Sequence, residues 1–163
     1  MSTTTEHETR IEADPELPTV LIVREFDAPA EKVFRAHVDP KWVAQWMGPR
    51  SIDMDIQVWD IRTGGEYRYT ALRDGAEIAH FYGSIHRVEE NAKIVQTFGF
   101  EEQPDAVALE TLTLTDIGGG RTRLEALSLV YSMQDRDAML ASGMDVGVRE
   151  GYEKLDELLA AES

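Results

Sequence analysis

An α+β fold is predicted: a curved antiparallel sheet of six to seven strands wrapped around a long C-terminal helix, with two short helices after the first strand. Three features of the sequence predict it. Between Ile52 and Tyr131 apolar and polar residues alternate with a period of two, interrupted by turn signals such as Asp74-Gly75 and Gly118-Gly119-Gly120. From Ser132 to Ala161 the period changes to that of a helix, with Leu140, Met144, Val148, Leu155, Leu158 and Leu159 on one side and Asp145, Arg149, Glu153, Asp156 and Glu157 on the other. Ahead of the alternating region, one strand-like segment is followed by two short apolar-faced segments, each opened by an Asp and a Pro.

Taken in order, residues up to about Glu16 are acidic, Thr-rich and followed by Pro18, and read as a mobile tail, with a single domain over 17–163. Thr19–Phe26 is the first strand, with Val20, Ile22, Arg24 and Phe26 on one face. Asp27-Ala28-Pro29 opens a helix in which Val33, Phe34, His37 and Val38 share a face, so His37 reads as a hydrogen-bonded core residue. Asp39-Pro40 starts a second short helix through Trp42, Val43 and Trp46, which Gly48-Pro49 ends.

The alternating region then divides into strands. Met54, Ile56 and Val58 share one face of the first, and Tyr67, Tyr69 and Ala71 share one face of the next. Ala76–Val88 carries Ala79, Phe81, Gly83 and Ile85 against His80, Tyr82, Ser84 and His86; Ile94–Phe100, Val107–Leu114 and Thr122–Tyr131 complete the meander. A twisted meander of that size curls, and the terminal helix is the element long enough to cover its apolar face.

That helix begins well, Ser132 and Asp135 forming an N-cap with an acidic third residue. Gly143, Gly147 and Gly151 nevertheless fall in or beside its apolar stripe, and each costs roughly 1 kcal/mol against alanine in a helix interior. Either a neighbouring strand approaches closely there, or the face looks onto a hollow that larger side chains would fill.

Composition bounds the function. The net charge of −15 opposes nucleic acid and anionic membrane as partners. The absence of cysteine removes disulfide and thiolate chemistry, and Met1 to Glu6 is unlike a signal peptide, which together predict a cytoplasmic protein. The four histidines show no metal-ligand spacing, so no metal or other cofactor is expected. His80 and His86 alternate with residues assigned inward and are expected to face solvent. There is no Gly-x-Ser-x-Gly, and the triple glycine precedes neither a helix nor a Lys-Ser/Thr pair. Glu110 stands among Leu109, Thr111, Leu112 and Thr113; it could point into the sheet's hollow, but the convex face is favoured.

One family resemblance spans residues 19–161. Arg24 to Pro29 leading to Val33-Phe34, then Asp39-Pro40, Trp46 with Gly48-Pro49-Arg50, Asp60-Ile61-Arg62 with Gly64-Gly65, and the closing Gly147-Val148-Arg149-Glu150-Gly151-Tyr152 with Leu155 and Leu158-Leu159 stand in the same order as in that family. The set resembles the bacterial proteins related to the C-terminal domain of the activator of heat-shock protein 90 ATPase. These belong to the START-like, helix-grip superfamily (SRPBCC), which also holds the Bet v allergens and the polyketide cyclases. Met47 departs from the pattern, since many relatives carry a second aromatic after Trp46.

The resemblance implies a cavity between sheet and terminal helix but no particular reaction. The inward faces give its lining: Trp46, Met54, Ile56, Tyr67, Tyr69, Phe81, Phe98, Phe100, Met144, Gly147, Val148, Gly151 and Tyr152. Such a cavity binds by apolar burial, here of a small apolar or aromatic molecule, with the tyrosines orienting it. The competing readings are a cyclase- or hydrolase-type enzyme using pocket tyrosines or Glu110, and a co-chaperone-like domain acting on the heat-shock protein 90 ATPase. The chain would act as a monomer or homodimer. If the helix glycines border a hollow, Gly147→Leu raises the thermal midpoint and abolishes ligand binding; if they serve close packing, the midpoint falls.

Overall fold

The computed structural model describes residues 7–162. One antiparallel sheet carries eight strands: β1 (Arg10–Ala13), β2 (Thr19–Phe26), β3 (Asp53–Trp59), β4 (Glu66–Arg73), β5 (Ala76–Glu89), β6 (Lys93–Phe100), β7 (Gln103–Gly118) and β8 (Arg121–Leu129), in the spatial order β1-β2-β8-β7-β6-β5-β4-β3. The meander from β3 to β8 forms as expected, and β2 joins it beside β8. Helices α1 (Ala30–Val38) and α2 (Pro40–Trp46) carry the chain from β2 to the opposite edge of the sheet. Asp39 caps α2, accepting from the Lys41 N–H at 2.9 Å with Pro40 at the first helical position.

The sheet differs from expectation at its start. Arg10–Ala13, assigned by the sequence to a mobile tail, pair with β2 from Arg10↔Val23 to Ala13↔Val20. Ile11 packs against the core, and the buried Thr9 is held from two sides: its hydroxyl receives Arg24 Nε at 3.3 Å and its carbonyl receives Arg149 Nη1 at 2.6 Å. Residues 1–6 of that expected tail lie outside the described residues.

The second difference is at the end. The single helix expected over 132–161 is two: α3 (Met133–Ala141) and α4 (Met144–Ala161). Ser132 Oγ caps α3 by accepting from the Asp135 N–H at 3.0 Å, as the sequence implied. Gly143, at φ +85°, adopts the left-handed conformation that ends a helix and restarts the chain in a new direction. The buried Arg136 then holds α3 against the β1–β2 connection through the carbonyls of Asp14 and Leu17.

The hydrophobic core lies between α1, α2, the C-terminal half of α4 and the helix-facing side of β2, β8 and β7. Phe26, Val33, Ala36, Val43, Leu124 and Leu155 are fully shielded from solvent, each large aliphatic or aromatic side chain contributing about 1.5–3 kcal/mol. At one margin His37 sits edge-on to Trp46, with ring centroids 4.9 Å apart, and Nδ1 donates to the Val33 carbonyl at 2.7 Å. Desolvation by burial lowers its pKa to about 4, the Val33 hydrogen bond opposing the shift only in part.

Because His37 is neutral in the folded protein and protonates near 6.5 when unfolded, folding stability is fully present above pH 6.5 and falls as pH drops towards about 4. The loss is at most roughly 3 kcal/mol. Urea unfolding of the wild type and His37→Phe at pH 7.5 and pH 4.5 checks this: the variant should show a smaller difference between the two pH values.

Candidate functional site

Alternation places Tyr67 and Tyr69 of β4, Phe81 of β5 and Phe98 and Phe100 of β6 on the helix-facing side of the sheet. The pairings Tyr69↔Phe81 and Phe81↔Phe100 bring three of them into lateral register. The rings form a continuous ladder. Trp59 lies 5.3 Å from Tyr67 and 6.1 Å from Tyr69; Tyr69 stacks on Phe81 at 5.1 Å and 29°, and Phe81 on Phe98 at 5.3 Å and 24°. Phe100 closes the row edge-on to Phe81 at 6.1 Å. Offset stacking of this kind adds about 0.5–1.5 kcal/mol per pair beyond area burial.

Tyr67 anchors the ladder. It is buried, its hydroxyl donates to the Thr97 carbonyl at 2.7 Å, and it fills the space left by Gly83, where an added Cβ would lie 2.6 Å from the ring. Tyr69, Phe81, Phe98 and Phe100, by contrast, are only half-buried.

A second aromatic group gathers around α4. Tyr152 is buried edge-on to Phe26 at 5.4 Å and stacks with Trp46 at 5.9 Å and 25°. The Trp46 indole N–H is committed to the Ala36 carbonyl at 2.8 Å, so this residue belongs to the core. Met144 and Val148, further towards the N-terminus of α4, are half-buried. Ile56 pairs with Tyr69 across β3 and β4, and Met54 and Ile56 together with Pro40, Lys41, Ala44, Gln57 and Trp59 also line a surface groove of about 420 Å³ between α2 and β3.

The helix glycines do not border a hollow. A Cβ on Gly151 would stand 3.2 Å from the Trp46 carbonyl oxygen and 3.4 Å from the Gly48 nitrogen, and one on Gly147 would stand 3.3 Å from Pro49 Cδ. Close approach explains both, but the neighbour is the α2–β3 connection and not the strand the sequence suggested. The expected outcome for Gly147→Leu is accordingly the lower midpoint.

Glu110 is the main correction. Sequence reasoning favoured the convex face, whereas Glu110 shares the helix-facing side of β7 with Leu112 and Leu114, both part of the core packing. The register Gln96↔Glu110↔Ser128 sets three polar residues in a row across β6, β7 and β8. Gln96 Nε2 donates to one carboxylate oxygen at 3.1 Å and Ser128 Oγ donates to the other at 3.2 Å. Burial pushes the Glu110 pKa above the ordinary carboxylate range, and these two hydrogen bonds oppose the shift. Burial also raises the phenol pKa values of Tyr67, Tyr69 and Tyr152, and in each the Glu110 charge raises it further, so the four groups share one electrostatic environment.

The hydroxyls of Tyr69 and Tyr152 have no hydrogen-bond partner among the described residues. Phenols held protonated by burial can donate or accept a hydrogen bond but supply no base. The phenols therefore suit orientation of a bound molecule, and Glu110, with its raised pKa, is the one group of the four placed to take up or release a proton.

His80 remains at the surface, as expected, within 3.0 Å of Glu102 and 3.4 Å of Glu77, and the Glu102 hydrogen bond raises its pKa. Trp59, Gln96 and Ser128 were missed by the sequence reading. The signal for Ser128 and Glu110 was parity: each stands an even number of residues from a leucine of its own strand, Leu124 or Leu114, that is buried in the core.

The sequence profile of the Activator of Hsp90 ATPase homolog 1-like protein family matches residues 27–160. Among solved structures, the chain is similar to the Ms6760 protein of Mycobacterium smegmatis (26% identity, 93% of this chain and 96% of that one, TM-score 0.83). It is similar also to proteins from Rhodobacter sphaeroides (25%, 94% and 99%, 0.86) and Arthrobacter aurescens (26%, 93% and 91%, 0.84). No curated protein matches it. Among the described residues no helix is long and apolar enough to cross a membrane.

A carboxyl whose pKa is raised by folding favours the folded state at low pH and opposes it above the folded pKa. Glu110→Gln, which keeps the side chain's size, is expected to raise the thermal midpoint at pH 7.5. The gain should shrink as pH falls towards the ordinary carboxyl value of 4.5. Melting curves across that range read the difference directly.

Proposed function

Because the chain belongs to the Activator of Hsp90 ATPase homolog 1-like family, whose members adopt this fold, we propose that it binds a small apolar or aromatic molecule between the aromatic ladder and the N-terminal half of α4. The observation that carries the reading is the contrast in burial across the helix-facing side of the sheet. The β2–β8 half is sealed by Leu155, Leu158 and Leu159, whereas Tyr69, Phe81, Phe98 and Phe100 on the same face are only half-buried, as are Met144 and Val148 of α4. An apolar face of stacked rings accessible to solvent gains free energy from any flat apolar molecule that covers it. Burying roughly 250 Å² of ligand contributes about 6 kcal/mol before the entropy cost of association.

The ligand-contacting set is Tyr69, Phe81, Phe98, Phe100, Met144, Val148 and the Tyr152 hydroxyl. Trp46, Tyr67, Gly147 and Gly151 support it from behind. The groove at Met54 and Ile56 adjoins the ladder at Trp59 and is bordered by Lys41 and Gln57. The role is that of a carrier or sensor acting in the cytoplasm.

The neutral fluorophore N-phenyl-1-naphthylamine tests the reading. Wild-type protein should enhance its emission with a dissociation constant of order 10 μM. Val148→Trp, which projects a large ring towards the ladder, should weaken binding at least about tenfold while circular dichroism stays unchanged. Binding that is absent, or indifferent to the substitution, would remove the site from this part of the fold.

A further inference from the structure

We propose that the molecule bound at this site is an apolar or aromatic amine in its protonated form, recognised by Glu110 at the floor of the cleft. The proposal rests on the ligand-binding reading given above. It begins from hydrogen-bond valence. Gln96 and Ser128 each spend one donor on Glu110, one per oxygen, which leaves each carboxylate oxygen with a further lone pair to share. Tyr152, only 7% exposed, and Tyr69 add two hydroxyls with no partner among the described residues, and both lie within the field of the Glu110 charge. The sheet register sets Gln96 and Glu110 on the same face as Phe98 and, across β5 and β4, Phe81 and Tyr69, so the carboxylate and the rings share one side of the sheet.

Charge decides which molecule fits. An anionic ligand would be repelled by Glu110, and a neutral one would leave the carboxylate without a counter-charge. A protonated amine pairs with the carboxylate, donates to the phenol oxygens and lies against the faces of Tyr69 and Phe81, which attract a cation. The cation whose field reaches Tyr152 from within the protein, Arg24, is not available to Glu110. It is tied to Asp156 through two hydrogen bonds of 3.0 and 2.6 Å, to the Glu25 carbonyl and to Thr9. The net charge of −15 further enriches organic cations around the protein.

A matched pair of probes tests this: naphthalen-1-ylmethylamine, protonated at pH 7.5, and naphthalen-1-ylmethanol, alike in shape and uncharged. Calorimetric titration of the wild type should show the amine binding at least about tenfold more tightly than the alcohol. In Glu110→Gln the preference should disappear while the alcohol binds as before. Equal binding of the two probes to the wild type, or a preference that survives the substitution, overturns the proposal and leaves the cleft standing as an apolar site. Failure of both probes to bind overturns the cleft as well. Should the variant not fold, the carboxyl resonance of Glu110 decides, since a general attraction of cations to the acidic surface would leave it unmoved. In addition the side-chain carboxyl carbon resonance of Glu110 should move on adding the amine and not the alcohol.

Discussion

The architecture depends on how α4 is fastened, by core packing along its C-terminal half and by the Thr9 carbonyl, the Arg50 N–H and Pro49 along its N-terminal half. Its C-terminal half is locked by Leu155, Leu158 and Leu159 in the core and by Arg24, whose guanidinium grips Asp156 with two hydrogen bonds and is almost wholly buried. Trp46 and Tyr152 stack at the midpoint, and the two glycines let the helix backbone settle on the α2–β3 connection. Towards the N-terminus of α4, Met144 and Val148 are half-buried and pack against the margin of the core.

The two halves of the sheet are correspondingly different materials. Under the anchored half the side chains are aliphatic or small, as at Ile22, Leu124 and Leu114. On β4, β5 and β6 they are planar and stacked, each ring braced by its neighbours. Between the halves lies the polar row of Gln96, Glu110 and Ser128. A carboxyl there costs the protein stability at neutral pH. Cores retain such groups when something other than stability is served.

Most of the framework was legible in the sequence because alternation and turn chemistry are local. The Asp74-Gly75 hairpin, the Asp39 and Ser132 caps and the inward tyrosines all follow from neighbours a few residues away. What escaped had non-local causes. Gly143 reads within its helical period as one more small residue; only its left-handed backbone makes it a break. Gly147 and Gly151 signal tightness, but not against what. Glu110 lies between Leu109 and Leu112, and one apolar residue on each face leaves the parity undecided until Leu114 is known to enter the core. Arg10–Ala13 offers a single apolar residue, Ile11, too little for a pattern, and its order comes from Arg24 and Arg149 reaching across from distant segments.

That short first strand has a consequence for the solubility of the whole chain. β2 is the most apolar strand of the sheet, Val-Leu-Ile-Val at its centre, and without β1 it would present a bare row of amide donors and acceptors at the sheet's rim. β1 covers that rim with Arg10 and Glu12, both exposed, while the opposite rim, β3, presents Asp53 and Asp55 to solvent. Both margins thus end in charge, which discourages one molecule from zipping onto the next. A shortened protein starting after Pro18 would keep every residue of the cleft and yet lose this protection, trading a soluble particle for one prone to fibrous self-association.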